Sequence, residues 1–585
     1  MKRKLTALLL VLALLAALTA CGGSAGSAAS GTEASVSAEE APAGAEEAPA
    51  EAAAPADEAA PADETADAEE AGSADEATAP VEIPFNDTVI EYPLADGETI
   101  SIFCAKPGGP PVVRDSWSEL EIFQEAEEYL GVHVEWNEAD MFAMDTQFNL
   151  MIAAGDYNDI ITGVVNSYAT GAVGAYEDGV VIDLADLVYD NMPNYWNYVH
   201  ADPEIEKYVT TEEVYELAVY VVNDQPLTER GLLLRGDWLE QQGLAVPQTF
   251  DDLENALLAF RDSYGCSDPL YIGETGLSVP ALTSGFGIKY YDGGLALRVD
   301  DGRLVCSFTT EEYRDYVELM GKWMNEGLFD GDMILNASFM NMNTSQTLIC
   351  TDNVGAFHSS ANQINTYYTY TESDTFDLVP VNVITRDAGD DTINHFGSYE
   401  PVQAGQTVSI STDCENPELA MRWIDYWYSY EGTMSMTYGV EGLTYELDDD
   451  GSAVFTDLIL NNDQDMSPEG MIMRYNCQGK ICGVMMQKAM WNYFSDQQKE
   501  LVDFWSTQVE YDRSIPGYVS LTTAESTEYN SIIADIVSYA QSELTKFVFG
   551  DRPISDWDAF VSELEDMGIN DAIAIYQAAY DRQTA

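Results

Sequence analysis

ISIFCAKPGGPPVVRDSWSELEIFQEAEEYLGVHVEW, residues 100–136, is the stretch whose reading decides the fold class. Ile100-Ser101-Ile102-Phe103 alternates apolar with small residues as a strand does, and the Pro/Gly-rich residues 106–111 turn the chain. Ser116-Trp117-Ser118-Glu119 has capping-box spacing and opens a helix with Leu120, Phe123 and Leu130 on one face. Gly131 stops it, and Val132-His133-Val134-Glu135-Trp136 reads as a second strand. Asp159-Ile160-Ile161-Thr162-Gly163 reads as a third. Strand, helix and strand at this spacing make a βαβ unit with a buried parallel sheet, so the class is α/β. Ligands of such sheets bind beyond the carboxyl ends of the strands.

Further along, helices dominate. Thr249 and Asp252 cap a helix with Leu253, Ala256, Leu257 and Phe260 on one stripe. A helix over 316–326 ends at Gly327. Asn416-Pro417 opens one that runs to about Glu431 before Gly432, and another over 555–567 is closed by Gly568. Residues 445–456, with Asp450-Gly451 at their centre, predict a β-hairpin. A long helical second half without a regular βα repeat excludes a (β/α)8 barrel.

The amino terminus carries a separate message. Met1-Lys2-Arg3-Lys4 is basic, residues 5–17 are an apolar run, and Leu18-Thr19-Ala20-Cys21 follows. That order is a secretory signal over residues 1–20, and the Leu-Thr-Ala-Cys ending resembles the lipobox of bacterial lipoproteins. The resemblance implies diacylglycerol on Cys21, cleavage before it, and palmitate-type acylation of the new terminus. Two or more acyl chains anchor stably where one is marginal. Residues 22–80 are almost all Ala, Glu, Asp, Pro, Gly and Ser, with no Lys, Arg or aromatic residue. They cannot bury enough apolar surface to offset chain entropy, and Pro42, Pro49, Pro55, Pro61 and Pro80 break any helix. Residues 21–85 are thus expected to be a lipidated, disordered acidic spacer reaching on the order of 40 Å. Residues 86–585 have the composition of a folded body.

The formal charge of −78 argues against nucleic-acid binding, which needs basic surface. No later run is long enough to span a bilayer. Seven cysteines follow Cys21, at 104, 266, 306, 350, 414, 477 and 482; an odd, scattered set is not a disulfide framework, although Cys477 and Cys482 lie close enough to pair. With no CxxC and four His, no structural zinc site is expected, and no cofactor is implied. There is no GxSxG, HExxH or P-loop. Asp448-Asp449-Asp450-Gly451 lacks EF-hand ligand spacing and reads as a turn.

Several segments resemble the family-1 extracellular solute-binding proteins, the receptors of ABC importers. Gly236-Asp237-Trp238-Leu239-Glu240-Gln241-Gln242-Gly243-Leu244-Ala245-Val246-Pro247-Gln248-Thr249 is similar to the family's Trp-Leu-Glu-x-x-Gly-Leu-x-x-Pro-x-Thr stretch. Ala153-Ala154-Gly155-Asp156-Tyr157-Asn158-Asp159-Ile160 resembles its Gly-Asp-x-Pro-Asp-Ile segment, with Asn158 in place of Pro. Lys322-Trp323 with Gly327-Leu328-Phe329-Asp330, Arg422-Trp423-Ile424-Asp425-Tyr426 with Gly439-Val440-Glu441-Gly442-Leu443-Thr444-Tyr445, and residues 557–568 with Ala579-Tyr580-Asp581-Arg582 complete the order. The resemblance spans residues 100–582. It implies a two-lobed periplasmic-binding-protein-like (type II) fold with a central cleft and a helix-rich C-terminal half. It also implies a monomeric receptor on the extracellular face of the cell membrane that captures an oligosaccharide by hinge closure and passes it to the ABC permease subunits. A peptide receptor of the same class and a surface carbohydrate-active enzyme or adhesin are the alternatives.

Sugar sites need flat aromatic faces with polar edges. Candidates in polar, loop-like surroundings are Asn166 and Tyr168 after the third strand, His358 after a strand over 354–357, Tyr399 in a Gly-containing loop, and Trp491 and Tyr493 late in the chain. The backbone of residues 106–109 after the first strand is a further approach. Trp423 and Trp427, four residues apart, are expected in the core. No catalytic residue or metal ligand is indicated.

Overall fold

The first strand, Glu98–Ala105 (β1), buries residues on both of its faces: Ile102, Phe103 and Cys104 are all at most 2% exposed. That is the signature of an interior strand in a sheet covered on both sides. The computed structural model describes residues 85–584, apart from 108–113, 141–142, 202, 210–217, 223–227, 290–293, 339–340, 391, 396–401, 465, 478–480 and 511–512. The expectations for Cys21 and the spacer therefore lie outside the described residues, as does Tyr399.

After β1 the chain forms Val132–Ala139 (β2), Ile160–Thr162 (β3), Ala218–Val222 (β4), Arg230–Arg235 (β5), Asp268–Tyr271 (β6), Leu297–Asp300 (β7) and Arg303–Cys306 (β8). Val354–Ser360 (β9), Leu378–Val381 (β10), Val402–Ile410 (β11), Tyr445–Leu447 (β12), Ala453–Phe455 (β13) and Val484–Met485 (β14) follow. Two main sheets result. One has the order β14-β4-β11-β3-β1-β2 and the other β10-β5-β9-β6. In the first, β1 pairs parallel with β2 and β3, as the βαβ reading requires. β11 then enters antiparallel to both β3 and β4. In the second sheet β5 lies antiparallel between β10 and β9, and β6 runs parallel to β9.

Each sheet has its own core, so the body is two lobes. The first-lobe core joins residues 100–209 to residues 408–484 and holds Trp423 and Trp427, 1% and 0% exposed. Both are packing residues, as expected. Trp427 meets the Phe123 ring edge-on at 5.1 Å and Trp423 meets Trp136 at 6.4 Å. A satellite cluster around Met434, Tyr438, Phe455 and Met471 extends this lobe, because helix Tyr430–Tyr438 contributes to both. The second-lobe core gathers Trp238, Phe260, Tyr316 and Trp323, and the C-terminal helices return to it through Ile536, Leu544, Trp557 and Phe560. A smaller cluster with Phe357, Tyr367, Phe494 and Trp505 lies against the same sheet.

The resemblance segments turn out to be structural fasteners. Arg235, 1% exposed, is clasped by both Asp237 oxygens at 2.8 Å and lies between the Trp238 and Phe376 rings, 4.1 and 4.7 Å from their centroids. A buried guanidinium so surrounded is satisfied rather than stranded. The indole of Trp323 donates to Glu254 at 2.7 Å, and Lys322 pairs with the same carboxylate.

Local expectations need four corrections. Ser116 caps a 3-10 turn, Trp117–Glu119, and the helix proper is Glu121–Leu130, ended by Gly131 at φ 67°. The helix expected over 316–326 is longer, Glu311–Asn325, because Thr310 supplies an earlier cap. The helix after Asn416 is Pro417–Tyr426; Ser429 then caps a new one, which contains Gly432. Finally, β9 continues through His358 to Ser360, with His358 paired opposite Leu232, so His358 lies in a strand and not after one. The seven described cysteines are all free thiols. Among the described residues no helix is long and apolar enough to cross a membrane. The hairpin appears as expected, its turn tied by Asp448 accepting from the amides of Asp450 and Ser452.

Candidate functional site

The chain passes between the lobes three times: from β4 to β5, from β10 to β11, and from β14 to helix Asp496–Ser506. Hydrogen bonds gather these passages. The Thr228 amide donates to Ser506 Oγ at 2.9 Å, the Asn394 amide to the Gln508 carbonyl at 2.7 Å, and the Glu510 amide to the Asn394 carbonyl at 3.0 Å. A cavity of about 280 Å³ opens beside this junction. Glu229, Arg230, His358, Asn394, Trp505 and Gln508 give it polar character, and Pro280, Val381 and Val383 form an apolar wall.

Trp505 reaches the cavity because β5 has glycine at 231. A Cβ there would come within 2.1 Å of the indole nitrogen. The indole is 4% exposed and its Nε1 has no hydrogen-bond partner, which leaves a buried donor unsatisfied. A ligand oxygen would satisfy it. Burial and the neighbouring Arg230 charge hold the His358 imidazole down at about 4, so at neutral pH it offers one donor and one acceptor rather than a charge. The amides of Asn394 and Gln508 add both kinds of group.

Next to the cavity the lobes touch through one side-chain amide. Asn362 lies in the 3-10 turn Ala361–Gln363 after β9, where Ser360 caps it. Its Nδ2 donates to Glu229 at 2.8 Å and to Glu469 at 3.1 Å. Glu469 comes from the other side, on helix Pro468–Ile472, whose Met471 and Ile472 belong to the first-lobe satellite core. Burial raises both carboxyl groups. Glu469 is pushed up to about 7, first by burial and then by the charge of Glu229, with Arg230 opposing. Glu229 is raised less, because Arg230, Asn362 and Ser360 favour its charged form. The Tyr493 phenol, on the third passage, is driven far up by burial and by these two carboxylates. A second contact between the lobes lies at the amino-terminal part of helix Thr523–Phe549, where Asn530 Nδ2 donates to the Ala169 carbonyl at 2.8 Å.

Of the residues singled out from sequence, His358 lines the cavity. Trp491 is half-buried against the smaller second-lobe cluster, 5.8 Å from the Phe494 ring, and Tyr493 bridges that cluster and the first-lobe satellite. Asn166 lies in the short helix Val164–Ser167 that follows β3 on the first lobe; Tyr168, on the same lobe, donates to Asp178 at 2.7 Å and does not line the cavity. The sequence reading missed Glu229, Arg230, Asn394, Trp505 and Gln508. One signal was available: a charged pair, Glu229-Arg230, opens the otherwise apolar strand Gly231-Leu232-Leu233-Leu234.

Residues 113–434 match the family described as bacterial extracellular solute-binding protein, more than half of the chain. The chain belongs to that family. Among its relatives is the fructooligosaccharide ABC transporter substrate-binding protein FusA of Streptococcus pneumoniae, 23% identical over 539 residues, covering 85% of this chain and 92% of the relative. Another is lipoprotein LipO of Bacillus subtilis, 24% identical over 469 residues, covering 77% and 84%. Among solved structures, alginate-binding protein AlgQ2 without calcium superposes with a TM-score of 0.68 at 21% identity, over 83% of this chain and 99% of that one. The fold of this solute-binding protein is therefore the two-lobed one, and the three passages join its lobes. Among the described residues no group of three or more His, Cys, Asp or Glu could hold a metal ion.

Proposed function

We propose that this solute-binding protein is the receptor of an ABC importer, held to the outer face of the membrane by lipid on Cys21, and that it captures an oligosaccharide at the hinge cavity. The observation that carries the ligand class is the cavity itself: an unsatisfied buried indole N–H, a neutral imidazole and two amides around an apolar wall. Uncharged donors and acceptors placed against an apolar surface suit hydroxyls on a sugar ring. The relatives support the reading, since FusA is named for fructooligosaccharide and AlgQ2 for alginate, and LipO is named a lipoprotein. The Asn362–Glu469 contact already joins the lobes beside the cavity, so a ligand held there by the second lobe meets the full set of contacts only while the lobes are together. The protein releases the captured molecule unchanged and breaks no bond in it.

A thermal-shift screen of the mature chain against oligosaccharide and peptide panels tests this. Selective stabilisation by a glycan, recovered intact, is expected. Stabilisation by peptides alone, or consumption of the glycan, would overturn the reading.

A further inference from the structure

We infer that the hinge cavity selects neutral oligosaccharides against uronate-bearing ones, and that Glu229 and Glu469 set this preference. The inference rests on the glycan-receptor reading above and adds the charge class of the ligand, on which the relatives divide: fructooligosaccharide is neutral and alginate is a polyanion.

Arg230 is the single cation among the described residues lining the cavity, and its charge is already divided. Glu229 adjoins it in the chain, and Glu469 and Glu274 also feel it. Three carboxylates thus lie within electrostatic reach of one guanidinium, and His358 beside it carries no charge at neutral pH. A uronate receptor needs positive charge left over to meet the ligand's carboxylate; here the balance is negative. Two of the three acids, Glu229 and Glu469, share the single amide nitrogen of Asn362 across the seam. A ligand carboxylate brought beside that pair in the closed form would be a further like charge in a poorly solvated place. Like charges about 6 Å apart there oppose binding by on the order of a hundredfold. A hydroxyl in the same position would donate to either carboxylate. The unsatisfied indole N–H of Trp505 serves a hydroxyl oxygen equally well.

The seam also gives the preference a proton signature. The groups acting on the pair are Arg230 on the same passage, Tyr493 on the third passage, Ser360 on β9, and Asn362 itself. Of these, the Tyr493 phenol stays neutral between pH 5.5 and pH 8, and so does His358 on the cavity wall. Glu469, pushed up to about 7, takes up a proton in that window, and burial raises Glu229 in the same direction. Protonation removes negative charge, so the penalty on a uronate should shrink as pH falls.

The test uses matched oligosaccharides that differ at C6 alone: mannose against mannuronate, galactose against galacturonate, and glucose against glucuronate oligomers. Titration calorimetry on the mature protein at pH 8 should show binding of a neutral member, with its uronate counterpart at least tenfold weaker, and the ratio should narrow several-fold at pH 5.5. The E229Q/E469Q variant should narrow it at pH 8 and remove its pH dependence. A uronate bound as tightly as its neutral counterpart would overturn the inference, as would a ratio in the parent protein that does not move with pH. Binding of no glycan of either kind would instead overturn the receptor reading on which the inference stands.

Discussion

Asp425 and Glu469 are two carboxyl groups pushed up to about 7, both chiefly by burial, yet they sit in different kinds of place. Asp425 is fully buried inside the first lobe, where it accepts from the Tyr195 amide and from Asn194 Nδ2, both at 2.8 Å, at the start of helix Pro193–Val199. All its partners are in one core. Glu469 belongs to the first-lobe side and finds its partner, Asn362, on the second. Asp425 can reach water only if the lobe unfolds; Glu469 can reach it if the lobes part. The same shift therefore belongs to stability in one region and to opening in the other.

The contrast is sharpest when the first-lobe core is damaged outright. Trp427→Ala, beside Asp425 and fully buried, should cost about 3–5 kcal/mol in urea unfolding, while the folded fraction binds its glycan with unchanged affinity. Affinity lost in proportion to stability would merge the two regions.

Asp425 itself comes next. Its folded value lies above the unfolded one, so it favours folding below about pH 4 and loses that contribution as pH rises through about 7. Parent stability should fall over this window by on the order of 4 kcal/mol. Asp425→Asn keeps an oxygen for the Tyr195 amide and should flatten that portion of the profile. Asp425→Ala should cost about 1–3 kcal/mol relative to Asp425→Asn, because a buried donor is left unmade, and should flatten the same portion of the profile. An unchanged profile in the Asn variant would remove Asp425 as its source.

At the seam the same exchange should act elsewhere. Glu469→Gln should alter unfolding by less than about 1 kcal/mol. In the parent, ligand affinity should weaken as pH rises from about 5 to 8, since the closed form holds the raised carboxyl and parting releases it. The variant should lose this trend; if it keeps it, the seam is not the pH-sensitive element. Trp491→Ala should cost about 1 kcal/mol of stability for a half-buried ring against Phe494 and should have the smallest effect on affinity, less than substitutions at Trp505.

The two regions were also unequally legible in the sequence. The first-lobe framework was readable because its signals are local: alternation in β1 and β2, Gly131 as a stop, and the four-residue spacing of Trp423 and Trp427. Where reading failed, a nearby polar residue had competed. Ser429 capped a fresh helix inside what looked like one, and Ser116 capped a 3-10 turn. The hinge cavity joins residues 229, 358, 394 and 505, and no local periodicity relates them. Trp505 lies on the apolar face of a capped helix, where pattern alone reads as core, and only the missing Cβ of Gly231 leaves room for its nitrogen against β5 at the cavity. Glu469 likewise reads as an ordinary acid in a helix's first turn until the fold places Asn362 opposite it.

The seam can act on ligand only if the lobes part and close about the three passages. Small-angle scattering of the mature protein, alone and with a saturating glycan from the thermal-shift screen, measures that directly. The account predicts a smaller radius of gyration in the glycan complex. An identical radius with the site demonstrably filled would contradict it.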